Sequence, residues 1–374
     1  MRIRVAMLGL RAPWGTEGGV EAAVGELAPR LAARGCDLTV YCRTHYNTLG
    51  EGFHNGVRLV NLETIYSKHL EAIVHTARAA PIAARTADVV HIHATGPSLM
   101  SWLPRLAGRA TVVTLHGLDW QRGKWGLAAR TVLRAGARSA ATFPHRVIAV
   151  GAHLRDHYID RYGVTPALIP NGVSAIRPQP LELGGVAGLT PRNYMLFVGR
   201  LVPEKGLERL FDAYAASGTK VPLIIVGGAT HMEAYHERLL LRAPSGVRMV
   251  GPRYGRARDA LLSHARAFIL PSTLEGFPLA ALEAMASGLP VLLSDIPPHQ
   301  ELLGGCQRPA GWLVGDDRWP QALQEVSDAG WARLAAMGGA GQAHVAAHYS
   351  WDQIADKTLD VYREALHVAW KTRG

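Results

Sequence analysis

The feature that most constrains this chain is a regular alternation of short, continuous apolar runs with longer stretches of helical periodicity. In the first half the short runs fall at 3–10, 38–42, 57–62, 89–93, 111–115, 146–150 and 167–169. Amphipathic stretches separate several of them. Val20, Val24, Leu27 and Leu31 form the apolar face of the first, and Pro29 inside it is expected to disturb or kink a helix. Runs that are apolar throughout suit strands buried on both faces, so the pattern implies a parallel sheet covered on both sides. The rhythm pauses at 170–192, where Pro170, Pro178, Pro180 and Pro191 gather with Gly172, Gly184, Gly185 and Gly188, the composition of a linker. It restarts with runs at 194–198, 222–226, 247–250, 267–270 and 291–293.

A chain of 374 residues fits two domains better than one. The economical architecture is therefore α/β, with two doubly wound, Rossmann-like parallel sheets facing each other across a cleft. The domains are expected at 1–170 and 193–350, with 171–192 between them. The segment 351–374 is one amphipathic helix, with Ile354, Leu359, Tyr362, Leu366 and Ala369 apolar, expected to pack back on the first domain. Ligands of such sheets sit beyond the carboxyl ends of the strands.

Composition removes several classes. No apolar stretch approaches the ~18 residues of a membrane-spanning helix. Arg2 and Arg4 precede a strand-like run and then Arg11, a pattern unlike a secretory signal. Cys36, Cys42 and Cys306 offer no disulfide framework and no Cys-x-x-Cys pair, and read as structural thiols of a reducing cytosol. Charge is uneven: residues 1–170 hold 20 Lys and Arg against 11 Asp and Glu, whereas the remainder holds 20 against 19. Such a field favours an anionic partner, whether nucleic acid, a membrane surface or a phosphorylated substrate. No helix-turn-helix, zinc-finger or aromatic RNA-binding pattern accompanies it, so no nucleic acid is expected.

Chemistry concentrates at strand ends. The segment Pro271-Ser272-Thr273-Leu274-Glu275-Gly276-Phe277-Pro278-Leu279 follows an apolar run, and Pro278 is expected as the first residue of a helix. Glu275 then lies on the loop and Glu283 about one turn into that helix. The helix start offers unpaired amides to an anion, and a carboxylate accepts bonds from two vicinal hydroxyls, so a ligand with phosphates and hydroxyls fits. Gly199-Arg200 and Lys205-Gly206 occupy the turn that opens the second half. A planar guanidinium and a compact ammonium there suit a diphosphate. Gly18 and Gly19 follow the first run, where a backbone without side chains approaches a ligand closely; the spacing is not the dinucleotide fingerprint. His116 stands after another run, beside Gly117. Each of these has a plainer alternative: a capping Glu275, solvated Glu283, Arg200 and Lys205, a structural His116.

No Asp-x-Asp pair occurs on a loop, and His91 and His93 lack a third ligand nearby in sequence, so no metal and no other cofactor is expected. A Walker loop and a Gly-x-Ser-x-Gly elbow are absent from the sequence. Arg130, Arg134 and Arg138 recur at helical spacing, with Lys124, Trp120 and Trp125 close by. The stripe reads either as a solvated face or as a contact with anionic lipid head groups, the indoles at the interface.

In their order along the chain, Gly18-Gly19, His116, the run 169–173 with Asn171, Gly199-Arg200, Lys205-Gly206, Glu275 and Glu283 resemble the retaining GT-B glycosyltransferases with nucleotide-sugar donors, the glycosyl transferases group 1 family. Stretches at 18–21, 26–29, 40–43 and 116–125 are similar to a bacterial branch of rhamnosyltransferases of surface polysaccharides. The resemblance implies a metal-independent hexosyltransferase. Arg200 and Lys205 would hold the donor diphosphate, and Glu283 the ribose. Glu275 and the amides of Gly276, Phe277, Pro278's neighbour Leu279 would contact the donor sugar and phosphate. His116 would approach the sugar, and Gly18 and Gly19 would border the diphosphate. Asn171 and Gly199 belong to the same donor set, and the base would pack near Arg253 and Tyr254. Pro278 stands where Gly is commoner, removing an amide, and Gly151 where a Ser often stands. The acceptor would be a lipid-linked oligosaccharide, and the enzyme cytoplasmic, peripheral on the inner face of a bacterial plasma membrane. The competing classes are a sugar-nucleotide epimerase, which would act on donor alone, a phosphorylase, and a non-catalytic nucleotide-binding protein.

Overall fold

The computed structural model describes residues 2–15, 18–67, 70–123, 125–228 and 232–371. The chain divides into two compact units, 1–172 joined by 351–374, and 173–350.

The first unit holds eight strands: β1 (Arg4–Leu8), β2 (Asp37–Arg43), β3 (Gly52–His54), β4 (Val57–Leu62), β5 (Val89–His93), β6 (Ala110–Leu115), β7 (Arg146–Ala149) and β8 (Ala167–Leu168). Their order is β3-β4-β2-β1-β5-β6-β7-β8, and every pair is parallel except β3 with β4. The central strands β5 and β6 are wholly buried, His91, His93, Thr111 and Thr114 included. β3 is absent from the apolar-run reading. It is an edge hairpin closed by Asn55 and Gly56, both at positive φ (51° and 78°), the left-handed pair a two-residue turn demands. The Gly19–Ala33 helix runs on through Pro29 without interruption.

The second unit holds β9 (Met195–Val198), β10 (Leu223–Val226), β11 (Val247–Met249), β12 (Ala267–Leu270), β13 (Val291–Ser294) and β14 (Gly311–Val314). All are parallel, in the order β11-β10-β9-β12-β13-β14. β14 also escaped the apolar-run reading, because Gly311 opens it and Leu313 is exposed. Apart from the β3–β4 edge hairpin, the order in each sheet reverses once, between β1 and β5 and between β9 and β12.

The closing helix, Trp351–Lys371, belongs to the first unit. Arg34 at the end of the Gly19–Ala33 helix reaches Asp356 (2.6 Å) and Asp352 (3.2 Å) on it. Tyr362, wholly buried, bonds Nδ1 of His91 on β5 at 2.7 Å. Gly172 is small by necessity, since a Cβ there would lie 2.7 Å from the Trp351 indole.

The Leu279–Ala286 helix of the second unit is held by the Trp331–His348 helix at a close backbone approach. A Cβ on Gly338 would sit 1.9 Å from the carbonyl oxygen of Gly288, whereas one on Gly339 would meet nothing within 4 Å. Gly338→Ala should therefore lower stability by about 1–3 kcal/mol through overpacking. Gly339→Ala should raise it by about 0.5–1 kcal/mol, the helix-propensity gain alone. Opposite shifts of the thermal midpoint in these adjacent variants are the expected result.

Candidate active site

Where strand order reverses, the loops leaving the two central strands turn apart and open a ligand crevice. In the second unit these are the loops after β9 and β12, and they carry Arg200, Lys205 and Glu275, with Glu283 on the helix that follows the second loop. After β9 come Gly199 and a half-buried Arg200, then a single turn at Pro203–Lys205 that ends on Gly206. Gly206 has φ +69°, and a Cβ there would strike the Pro271 carbonyl oxygen at 2.2 Å. Two demands thus converge on one glycine, a left-handed conformation and a backbone in contact. The loops are laced further by the Thr273 N–H donating to the Glu204 carbonyl (2.8 Å) and Arg209 Nη2 donating to the Pro271 carbonyl (3.2 Å).

This lacing brings Lys205 to Glu275. Lys205 Nζ donates to Glu275 Oε1 at 2.6 Å, and the Ser272 hydroxyl donates to the same oxygen at 2.6 Å. Both ionic side chains are largely buried, 16% and 11% exposed. Burial works to raise the Glu275 carboxyl. The Lys205 charge, the nearby His299 ring and the two hydrogen bonds outweigh it, so the group lies below the usual carboxylate range. His299, fully buried, anchors its Nδ1 on the Ser294 carbonyl (2.8 Å), and burial holds it below the ordinary histidine range. Ser294 in turn donates its hydroxyl to the Ser272 carbonyl.

Glu283 lies on the fifth residue of the Leu279–Ala286 helix, and Arg258 Nη1 donates to its Oε1 at 2.8 Å. Pro278 caps that helix and is not its first residue. The amide of Leu279, expected to serve a ligand, is already given to the Phe277 carbonyl (3.0 Å). With Pro278 lacking an N–H, the remaining amides of that run are those of Gly276 and Phe277. The Phe277 ring itself is buried against Tyr349, centroids 5.5 Å apart. On the loop after β11, Arg253 bonds the Gly184 carbonyl (3.3 Å), and Tyr254 is 62% exposed.

In the first unit Gly18 caps the Gly19–Ala33 helix with φ +159°, and a Cβ there would collide with the Glu21 carboxylate at 1.9 Å. His116 follows β6. Its Nε2 meets Nδ1 of the buried His93 at 3.1 Å, and His93 stacks on His91 at 4.1 Å. Desolvation pushes His116 to about 4, against the pull of Asp119, and His91 to about 3. The imidazoles are therefore neutral at pH 7. Asp119 is itself held by Thr95 (2.7 Å) and Arg122 (3.1 Å). Asn171 is buried just before the end of the first unit's main segment.

The expected membrane-facing set is only partly at the surface. Trp120 is buried in the first unit's core with Leu115, Val113 and Leu133, and Trp125 packs half-buried against the same cluster, so neither indole is displayed. Arg134 and Arg138 are exposed and Arg130 half-buried on the Leu127–Thr142 helix. Lys124 lies outside the described residues. Among the described residues no three His, Cys, Asp or Glu side chains gather to hold a metal, and no helix is long and apolar enough to cross a membrane.

Sequence reasoning passed over Arg258, His299 and the bonding role of Ser272, and missed the partner of His93. His93 was weighed as a metal ligand, and its pairing with His116 joins strands 23 residues apart. Arg258 lies on a helix whose periodicity says nothing of Glu283, and the signal for His299 was no more than a histidine shortly after a strand.

The family model "Glycosyl transferases group 1" matches residues 187–329, and "Glycosyltransferase Family 4" matches 17–177. The GDP-mannose:cellobiosyl-diphosphopolyprenol alpha-mannosyltransferase of Xanthomonas campestris is 30% identical over 306 residues, 76% of either chain. The alpha-maltose-1-phosphate synthase of Mycobacterium tuberculosis is 29% identical over 97% of this chain and 99% of its own. Neither name is that of a rhamnosyltransferase. Among solved structures, sucrose-phosphate synthase from Thermosynechococcus elongatus superposes with a TM-score of 0.80 at 21% identity, covering 98% and 100% of the chains. HepE of Anabaena, in complex with UDP and glucose, gives 0.78 at 19%, covering 96% and 99%. With both sheets, their charged loops and these matches in agreement, the chain belongs to the glycosyl transferases group 1 family and is a glycosyltransferase of GT-B fold.

Proposed function

We propose that the enzyme moves a hexose or deoxyhexose, with retention of configuration, from a nucleoside diphosphate sugar to a lipid-linked bacterial surface glycan, without a metal. The observation that carries the donor reading is the buried Lys205–Glu275 pair, set beside Arg200 on loops that a strand-order reversal opens to a ligand. As the glycosidic bond breaks, negative charge grows on the diphosphate, and the guanidinium of Arg200 and the ammonium of Lys205 stabilise it where it forms. The departing phosphate oxygen takes the acceptor's proton on the same face, which gives retention without a protein nucleophile. Glu283, steadied by Arg258, is assigned to the ribose hydroxyls, and Arg253 with Tyr254 to the base. To the first unit we assign the acceptor, with His116 as the neutral polar group offered to the reacting sugar. The mannosyltransferase relative is named for a nucleotide-sugar donor and a diphosphopolyprenol acceptor, and supports both halves of the reading.

Thermal-shift measurements with UDP-, GDP-, dTDP- and ADP-sugars should single out one base. A ligand at about 100 times its dissociation constant raises stability by about 2.7 kcal/mol, and Glu283→Ala should abolish that shift. Arg200→Ala and Lys205→Ala should each lower turnover by about 10²–10³-fold. A chelator should leave the wild-type rate unchanged. Rates near wild type in both variants would remove the charge-stabilising role.

For the acceptor, we propose a peripheral enzyme on the inner leaflet, bound through the exposed Arg134 and Arg138, with Leu127 (83% exposed) on the same helix. Binding to anionic liposomes should exceed binding to neutral ones at about 0.1 M salt and fall as salt rises. Equal flotation with both lipid types would overturn the membrane reading while leaving the transferase untouched.

A further inference from the structure

Glu275 has two ties, and one of them is pledged elsewhere. If Lys205 serves the donor diphosphate, as the reading above requires, its ammonium turns to a more strongly charged anion, and a largely buried carboxylate loses its counter-charge. A buried charge left alone must be neutralised or recruit another. The Ser272 hydroxyl still donates to Oε1 and favours the anion, so Glu275 is a poor place for the missing proton.

His299 is a better one. Its ring is wholly buried at the start of the Pro297–Gly304 helix. The Ser294 carbonyl can only accept, so Nδ1 carries the hydrogen of that 2.8 Å bond, and in the neutral ring Nε2 holds the lone pair. Nε2 has no hydrogen-bond partner among the described residues. The ring is tied to the carboxylate's own loop. The Ser294 hydroxyl, 3.2 Å from Nδ1, donates to the carbonyl of Ser272, the residue whose side chain holds Glu275. Two charged groups act on the ring from other elements: Glu275 on the loop after β12, which favours its protonation, and Lys205 on the turn after β9, which opposes it. Moving Lys205 away removes the opposition and leaves Glu275 unmatched, so both changes push the ring the same way.

We propose that His299 is a positioning residue for Glu275, taking up a proton from solvent as Lys205 turns to the donor diphosphate, so that the carboxylate keeps a buried cation beside it in both states. The proton goes to Nε2, no bond of the donor is touched, and the charge brought in by the diphosphate is offset by the lysine and the new imidazolium together. The sign follows from linkage. A group whose affinity for protons rises on binding makes binding weaken as pH rises through its bound-state value, by up to about tenfold per pH unit.

Titration calorimetry of the full chain with UDP-glucose and GDP-mannose tests this, because their diphosphate diesters do not titrate near neutral pH. Run near pH 7 in buffers of different ionisation enthalpy, wild type should take up about 0.5–1 proton per donor bound. His299→Asn, whose amide can still donate to the Ser294 carbonyl, should bind the donor with that uptake lost. His299→Gln provides a second non-titrating side chain should the first fail to fold. Donor binding without proton uptake in wild type, or uptake that persists in both variants, overturns the proposal. If Lys205→Met binds the nucleotide sugar singled out by the thermal-shift panel as tightly as wild type, the diphosphate role of Lys205 fails, and this inference with it.

Discussion

The single reversal of strand order in the second sheet governs most of what the chemistry needs. β9 and β12 are neighbours, yet the strands that follow them lie on opposite sides, so the chain leaves them in different directions while the loops just beyond them stay in contact. The contact is made by backbone at Gly206, where no other side chain fits against the Pro271 carbonyl. From that contact follow the Thr273–Glu204 bond and the Lys205–Glu275 pair. An isolated buried ion pair is weak ground for stability, because desolvation opposes the Coulomb attraction. Under the proposed donor role the pair has another use: a lysine held by a carboxylate at 2.6 Å is kept, largely out of water, on the loop from which it would turn to a diphosphate.

Much of this fold was legible because parallel strands buried on both faces leave no polar alternation to confuse the reading. Where that condition lapses, so does legibility. β3 is an edge strand with Phe53 exposed, and its one clear sign was the Asn55-Gly56 pair of a hairpin turn. Pro29 shows another limit. The Gly19–Ala33 helix carries it within an unbroken assignment, since packing of a buried face overrides the loss of one local hydrogen bond.

At the site, residue types and order along the chain exposed the charged groups, but partners were invisible. Nothing in a linear sequence pairs Arg258 with Glu283 across 25 residues, or links Ser294 to Ser272. Trp120 failed for a related reason. Tryptophan near a basic helix suits a lipid interface or a core equally well, and only the neighbourhood of Leu115 and Leu133 decides for the core.

The two units treat charge at their strand ends in opposite ways. In the second, Lys205, Arg258, Glu275 and Glu283 are ionised and bonded in opposite-charge pairs. In the first, burial drives His91, His93 and His116 below their ordinary range, helped for His91 and His93 by the neighbouring imidazoles, so three potential cations on β5 and after β6 are kept neutral. The first half's excess of basic residues is therefore not expressed at this place. It lies on surfaces such as the Arg134–Arg138 face, while the buried imidazoles contribute dipoles and hydrogen bonds. A sheet end built that way presents neutral, polar imidazoles, whereas the loops after β9 and β12 carry formal charge.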